Sequence, residues 1–109
     1  MTTPRIPEPI ASFLTAVNGQ DHDAFICAFT LDAFVDDWGT RYHGLDAIKT
    51  WSDRELLGAH GTFTAESVSV EGATVTVIGD WRSSFANGPS SFRFALNGSK
   101  IASMTIREG

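Results

Sequence analysis

The spacing of apolar residues changes once along this chain of 109 residues, and the change strongly limits how the chain can fold. Up to Leu57, apart from one short strand-like stretch, apolar residues recur every three to four positions, which is the period of an amphipathic helix. From Thr62 onwards they alternate with polar residues, which is the period of a half-buried strand. Because helices come before strands rather than alternating with them, the order predicts an α+β fold.

Three helices are predicted in the first half of the chain. The first covers Ile6 to Asn18, where two prolines suit a first helical turn that needs no amide hydrogen. The second runs from Asp21, an N-cap residue, to about Phe29. The third covers Gly44 to Leu57. Between the last two lies Ala33 to Tyr42, which is strand-like and interrupted at Gly39.

Four strands are predicted in the second half, separated by turn residues. Asn97-Gly98 is the strongest hairpin pattern, because both positions of such a turn take positive φ. The strands are Thr62 to Val70, Ala73 to Phe85, Ser90 to Leu96 and Lys100 to Arg107, with a break at Asn87-Gly88-Pro89. The prediction is one domain, residues 1–109, with three helices on one face of an antiparallel sheet and a pocket between the two layers.

Composition limits the partners and the chemistry. The net charge is −5 and only eight residues are Lys or Arg, whereas nucleic acid requires a basic face. No apolar run has the length of a membrane span or of a signal-peptide core, so a cytoplasmic protein is expected. Cys27 is the single cysteine and is expected to be a small core residue. Three histidines without ligand spacing predict no metal, and no nucleotide loop is present, so no cofactor is expected.

The stretch Ala33–Gly44 contains the candidate reactive groups. Asp36 and Asp37 are adjacent on a predicted strand, so their side chains point to opposite faces. A carboxylate held in an apolar pocket acquires a raised pKa and becomes a general base. His43 is a candidate second proton-transfer group, because an ordinary histidine titrates near neutral pH. The alternative is that these are a solvated acid and a surface histidine.

The order of motifs resembles the nuclear transport factor 2-like superfamily, and within it the SnoaL-like polyketide cyclases and ketosteroid isomerases. The resemblance is carried by Asn-Gly-Gln-Asp at 18–21, by Phe-Thr-Leu-Asp-Ala-Phe-Val-Asp-Asp at 29–37 and by Tyr-His-Gly-Leu-Asp-Ala-Ile at 42–48, and it extends from Pro7 to Arg107. It implies a curved sheet wrapped on the helices into a cone with an apolar cavity. It also implies that Asp37 is the general base, with Asp36 as the alternative.

Two positions depart from the isomerase pattern. The family polarises its substrate oxygen with a tyrosine on the first helix and an acid on a late strand, and the matching residues here are Phe13 and Ser90. Phe13 has no hydroxyl group, and Ser90 donates only a neutral hydrogen bond. The expected pocket-lining residues are Phe13, Val17, Val35, Trp38, Trp51, Trp81, Ser90, Phe92 and Phe94, with Trp38 at the mouth.

Two functions are predicted from these residues. The first is binding of a hydrophobic small molecule, with cofactor-free isomerase, cyclase or dehydratase chemistry at Asp37. The second is a ligand-binding or dimerisation module of the same fold without chemistry. A homodimer through the outer face of the sheet is expected from the small size and the family resemblance. Four threonines are expected on that face: Thr62, Thr64, Thr74 and Thr76.

Overall fold

Three helices and six strands make up the described part of the chain, residues 4–109 of a computed structural model. The helices are α1 (Ile10–Asn18), α2 (His22–Cys27) and α3 (Leu45–Glu55). The strands are β1 (Phe29–Asp37), β2 (Thr40–His43), β3 (Thr62–Glu71), β4 (Thr74–Arg82), β5 (Asn87–Asn97) and β6 (Lys100–Glu108). Within residues 4–109, no helix is long and apolar enough to cross a membrane.

The strands form one curved, open sheet in the order β2-β1-β6-β5-β4-β3. The four strands β3 to β6 form the predicted antiparallel meander. The first two strands form a hairpin whose two-residue turn is Trp38-Gly39, and β1 pairs with β6 in parallel. The predicted α+β architecture, with helices against one face of a curved sheet, is confirmed.

The helix ends differ from the sequence prediction for local reasons. The first helix starts at Ile10 rather than at Ile6, because Pro9 disfavours helical geometry at the preceding residue. The second ends at Cys27, since Phe29 already pairs with β6. Cys27 is exposed, so the prediction of a core cysteine is wrong. Phe25 occupies the buried face of this helix, and a residue two positions later points about 200° away around the axis.

The fifth strand includes the residues Asn87-Gly88-Pro89, which were predicted to break the sheet. The backbone amide of Gly109 donates a hydrogen bond to the carbonyl of Pro89 over 3.1 Å, so the backbone nitrogen and carbonyl of Pro89 face β6 rather than β4. There β6 has already ended at Glu108. The missing amide hydrogen of Pro89 therefore leaves no strand-to-strand bond unmade.

Phenylalanine rings fill the interior at one end of the sheet. The ring of Phe13 lies 5.2 to 5.5 Å, between centroids, from the rings of Phe25, Phe29 and Phe94. The amide group of Asn18 then ties α1 to β3, donating to the carbonyl of Phe63 over 3.0 Å and accepting from its amide over 2.7 Å. The helices therefore seal this end, and the other end of the sheet carries a cavity.

Candidate functional site

A cavity of about 360 Å³ lies where the β1–β2 hairpin, α3 and the β4–β5 connection meet. This volume is at the lower end of the range for small-molecule sites. Six of the lining residues are aromatic: Trp38, Tyr42, Trp51, Trp81, Phe85 and Phe92. The non-aromatic polar side chains of the lining are those of Asp37, Thr40, Glu55, Asn87 and Ser90, and the Tyr42 hydroxyl and the tryptophan indole N–H groups add further polar atoms. The cavity is thus mainly aromatic, with two carboxyl groups in its wall.

Asp37 is the last residue of β1 and lies in this wall, on the inner face that strand alternation predicted. Its Oδ2 accepts a hydrogen bond from the indole Nε1–H of Trp51 over 3.0 Å. Burial raises the pKa of Asp37 above its ordinary value. The Trp51 bond opposes that increase, while the nearby charge of Glu55 adds to it. Asp37 therefore holds its proton more tightly than an exposed aspartate does.

Asp36 faces away from the cavity, as strand alternation predicted, but it is covered rather than solvated. Its carboxylate accepts from Arg107 Nη1 over 2.9 Å, from the backbone amide of Gly39 over 2.8 Å and from Arg41 Nε over 3.3 Å. The Arg107 bond, with help from the other two, lowers the pKa of Asp36 to about 2. Adjacent aspartates thus have opposite environments, and Asp36 remains charged throughout the physiological range.

The bond from Asp36 to Gly39 also supports the turn that displays Trp38. Both turn residues have positive φ, 53° at Trp38 and 97° at Gly39, as a two-residue hairpin turn requires. A tryptophan in this region is strained, and strain of this kind concentrates at functional sites. The Trp38 side chain is 61% exposed and lines the cavity at its mouth.

The other sequence candidates separate into two groups. Trp38, Trp51, Trp81, Ser90 and Phe92 line the cavity together with Asp37. The remaining four belong to the sealed core and do not line the cavity: Phe13, Val17, Val35 and Phe94. They point inward as expected, but they are packed in the hydrophobic core, where Phe13 of α1 contacts the ring of Phe94.

His43 lies outside the cavity. It is exposed on β2, and its ring lies 5.4 Å from the ring of Phe34, between centroids. Its neighbour Tyr42 takes the inner face and stacks on Trp51 at 5.8 Å. Because successive strand residues face opposite sides, Tyr42 and His43 cannot both reach the cavity.

Glu55 is a cavity residue that the sequence interpretation missed. It lies one helical turn after Trp51, so the spacing placed both on one face of α3. Its Oε2 accepts from Arg54 Nη2 over 2.6 Å, which offsets its charge. Tyr42 was missed as well, because its partner Trp51 comes from another element. Phe85 was predicted at the end of a strand, but β4 ends at Arg82 and Phe85 lines the cavity from the connection that follows.

Two hydrogen-bond donors of the cavity wall are already engaged within the protein. The indole N–H of Trp51 is already bound to Asp37, and the hydroxyl of Ser90 donates to the Gly88 carbonyl over 3.4 Å, a long bond. Within residues 4–109, no group of three His, Cys, Asp or Glu side chains has the arrangement of a metal site. The two carboxylates of the wall can therefore act as proton acceptors.

Comparison with solved structures agrees with this architecture. No protein-family model and no curated protein matches the chain. A nuclear transport factor 2-like protein from Cytophaga hutchinsonii is 14% identical to this chain, with a TM-score of 0.79. The match covers 90% of this chain and 84% of the Cytophaga protein. SalBIII is 23% identical to this chain, with a TM-score of 0.82, and the match covers 92% of this chain and 87% of SalBIII. It is an epoxide hydrolase/cyclase-like enzyme with a role in pyran ring formation in the polyether salinomycin.

The third match is part of a larger protein. The orange carotenoid protein of Anabaena (Nostoc), which binds canthaxanthin, is 19% identical with a TM-score of 0.82. The match covers 97% of this chain but 37% of the carotenoid protein. At these identities the likeness concerns the fold. The chain therefore has the nuclear transport factor 2-like fold, as its motifs indicated.

Proposed function

We propose that the chain binds a hydrophobic small molecule in the aromatic cavity and that Asp37 transfers a proton on it. The observation that carries this proposal is the half-buried carboxylate of Asp37 in an aromatic wall, hydrogen-bonded to the neutral Trp51. A carboxylate whose pKa is raised by burial is a stronger base than an exposed one and fits general-base catalysis.

The proposed chemistry needs only the side chains of the cavity. Asp37 removes a proton from a carbon next to a carbonyl group, and its return at another position gives isomerisation. In cyclisation the carbanion attacks a second carbonyl group of the same molecule, and Asp37 returns its proton to the alkoxide that forms. In dehydration a hydroxyl group on the neighbouring carbon departs, takes the proton from Asp37 and leaves as water. The role of the cyclase-like SalBIII in pyran ring formation supports ring-forming chemistry in a cavity of this fold. No cofactor enters the scheme.

Proton exchange tests the proposal without knowledge of the substrate. Apolar cyclic ketones in deuterated water are expected to exchange their α-hydrogens faster with the protein than with buffer, as followed by NMR. Asp37→Asn is expected to lower the protein-dependent rate at least about 100-fold, the lower end for a general base. Asp80→Asn is the matched control, because Asp80 lies on the outer face in a pair with Arg82. Equal rates for Asp37→Asn and the native chain would refute the assignment.

The second candidate is a ligand-binding module without chemistry. It is favoured by the buried, ring-packed position of Phe13, where the isomerases have a donor, and it is supported by the carotenoid-binding neighbour. Native mass spectrometry of the purified chain distinguishes the two. A retained, chemically unchanged ligand together with no exchange in any ketone would support the binder.

A homodimer and a cytoplasmic location remain predictions. The strand register places all four predicted threonines, Thr62, Thr64, Thr74 and Thr76, on the outer face with Ile78, an exposed apolar residue. We propose that a second copy covers this face. Light scattering at micromolar concentration is expected to give twice the chain mass, and the monomer mass would contradict it.

A further inference from the structure

The distribution of positive charge around the two aspartates is uneven. Arg41 and Arg107 both contact Asp36, on the outer side of β1. Within residues 4–109, no Lys, Arg or His lines the cavity on the inner side. Glu55 has Arg54 as its cation, whereas the polar contact of Asp37 is the neutral indole of Trp51. Among the described residues, Asp37 therefore has no cation in direct contact, and Arg107 acts on it only through its charge. A cationic ligand in the cavity could make that direct contact.

The aromatic walls of the cavity favour a positively charged ligand, as the carboxylate of Asp37 does. The faces of tryptophan, tyrosine and phenylalanine rings carry negative electrostatic potential and attract cations, most strongly when the cation is desolvated. Six such residues line the cavity, and two of them, Trp38 and Phe85, are more than 60% exposed at its mouth. An anionic ligand would meet both these rings and two carboxylates.

We infer that the ligand of this cavity is a small organic ammonium cation with apolar substituents, for which Asp37 is the counter-ion and the aromatic side chains are the walls. The inference rests on the proposed ligand-binding cavity and adds the charge of the ligand. A cation needs acceptors and ring faces, and the cavity supplies both.

A pair of water-soluble probes of equal shape tests the charge alone. Choline and 3,3-dimethylbutan-1-ol differ in having a quaternary nitrogen or a quaternary carbon at the same position. All three tryptophans line the cavity, so their fluorescence reports binding of either probe. Choline is expected to bind about tenfold more tightly than the alcohol, a preference within the range of a desolvated cation–aromatic contact.

Two variants locate the preference. Asp37→Asn keeps the shape and the aromatic walls, so it is expected to lower choline affinity about threefold, the part of the preference due to the carboxylate charge, while leaving the affinity of the alcohol unchanged. Asp80→Asn removes the same unit charge from the outer face and is expected to change neither.

Equal or tighter binding of the alcohol would overturn the inference while leaving an apolar ligand site in place. An unchanged preference for choline in Asp37→Asn would overturn the role of Asp37 as counter-ion. Failure of both probes to bind at 50 mM would overturn the inference, and ketone exchange would still decide the proposed function separately.

Discussion

Replacing Trp51 with phenylalanine tests the contact on which the site depends. The change removes the Nε1–H donor 3.0 Å from the Asp37 carboxylate and shortens a ring that is 1% exposed. A hydrogen bond to a charged group contributes about 1.5–3 kcal/mol, and solvent around the half-buried carboxylate reduces this to about 1 kcal/mol. Loss of ring packing costs about a further 1–2 kcal/mol. We expect the free energy of unfolding to fall by about 2–3 kcal/mol.

Thermal unfolding followed by circular dichroism measures this loss. For a chain of this length, 1 kcal/mol corresponds to about 4 °C, so Trp51→Phe is expected to lower the Tm by about 8–12 °C at pH 7. Trp81→Phe is the matched control, because Trp81 lines the same cavity and is buried but has no bond to Asp37. The control is expected to lose about 4 °C less. In an Asp37→Asn background, the difference between the two tryptophan variants is expected to shrink.

Carboxyl-carbon NMR provides the second readout. The Trp51 bond lowers the pKa of Asp37, so its removal is expected to raise that pKa further, whereas Trp81→Phe is expected to leave it unchanged. Equal Tm losses in the two variants, together with an unchanged Asp37 pKa in Trp51→Phe, would refute the role given to this bond.

Asp37→Asn is expected to raise the Tm at pH 7. Burial raises the pKa of Asp37 in the folded state, so ionisation of this carboxyl group destabilises the fold as the pH rises through that pKa. Below the unfolded-state pKa of 3.8 the group is protonated in both states and the destabilisation is absent. A gap to the native chain that does not widen between pH 4 and pH 8 would contradict this. Asp36 behaves oppositely, because Arg107 is the main cause that lowers its pKa to about 2. The ionised carboxylate therefore stabilises the fold above pH 3.8, and this stabilisation is lost as the pH falls towards 2. Tm measurements over that interval should show a shallower fall for Asp36→Asn than for the native chain. Asn18→Ala removes two hydrogen bonds to the Phe63 backbone and is expected to cost about 2 kcal/mol, or about 8 °C in the same melting assay. A loss below 2 °C would show that water replaces both bonds.

Much of the site could be predicted where it depends on alternation along one strand. The inner position of Asp37, the outer position of Asp36 and the inward Trp81 and Phe92 all follow from the period of two. Whether an inward side chain meets a cavity or the core could not be predicted in this way. Phe92 lines the cavity and Phe94, two residues later, is sealed in the core, because α1 and its phenylalanine contacts cover only one end of the sheet.

Contacts between distant segments lay beyond the sequence interpretation. Asp36 is 71 residues from Arg107, and the two meet because β1 pairs in parallel with β6. The Asn18 bonds to Phe63 span 45 residues. The position of Glu55 on the same helix face as Trp51 could have been predicted from their spacing. Its place in the cavity wall could not, because that depends on how α3 packs against the β1–β2 hairpin.

By itself the sequence determined the α+β class, the order of the elements, the Asn97-Gly98 turn and the side of the strand on which each aspartate lies. These follow from backbone geometry and residue spacing, which act over a few residues. Tertiary structure decided where the cavity opens, which aspartate receives both arginines and which aromatic side chains surround the other. Those outcomes depend on how the helices pack on the curved sheet, because that packing determines burial and the partners of each charge.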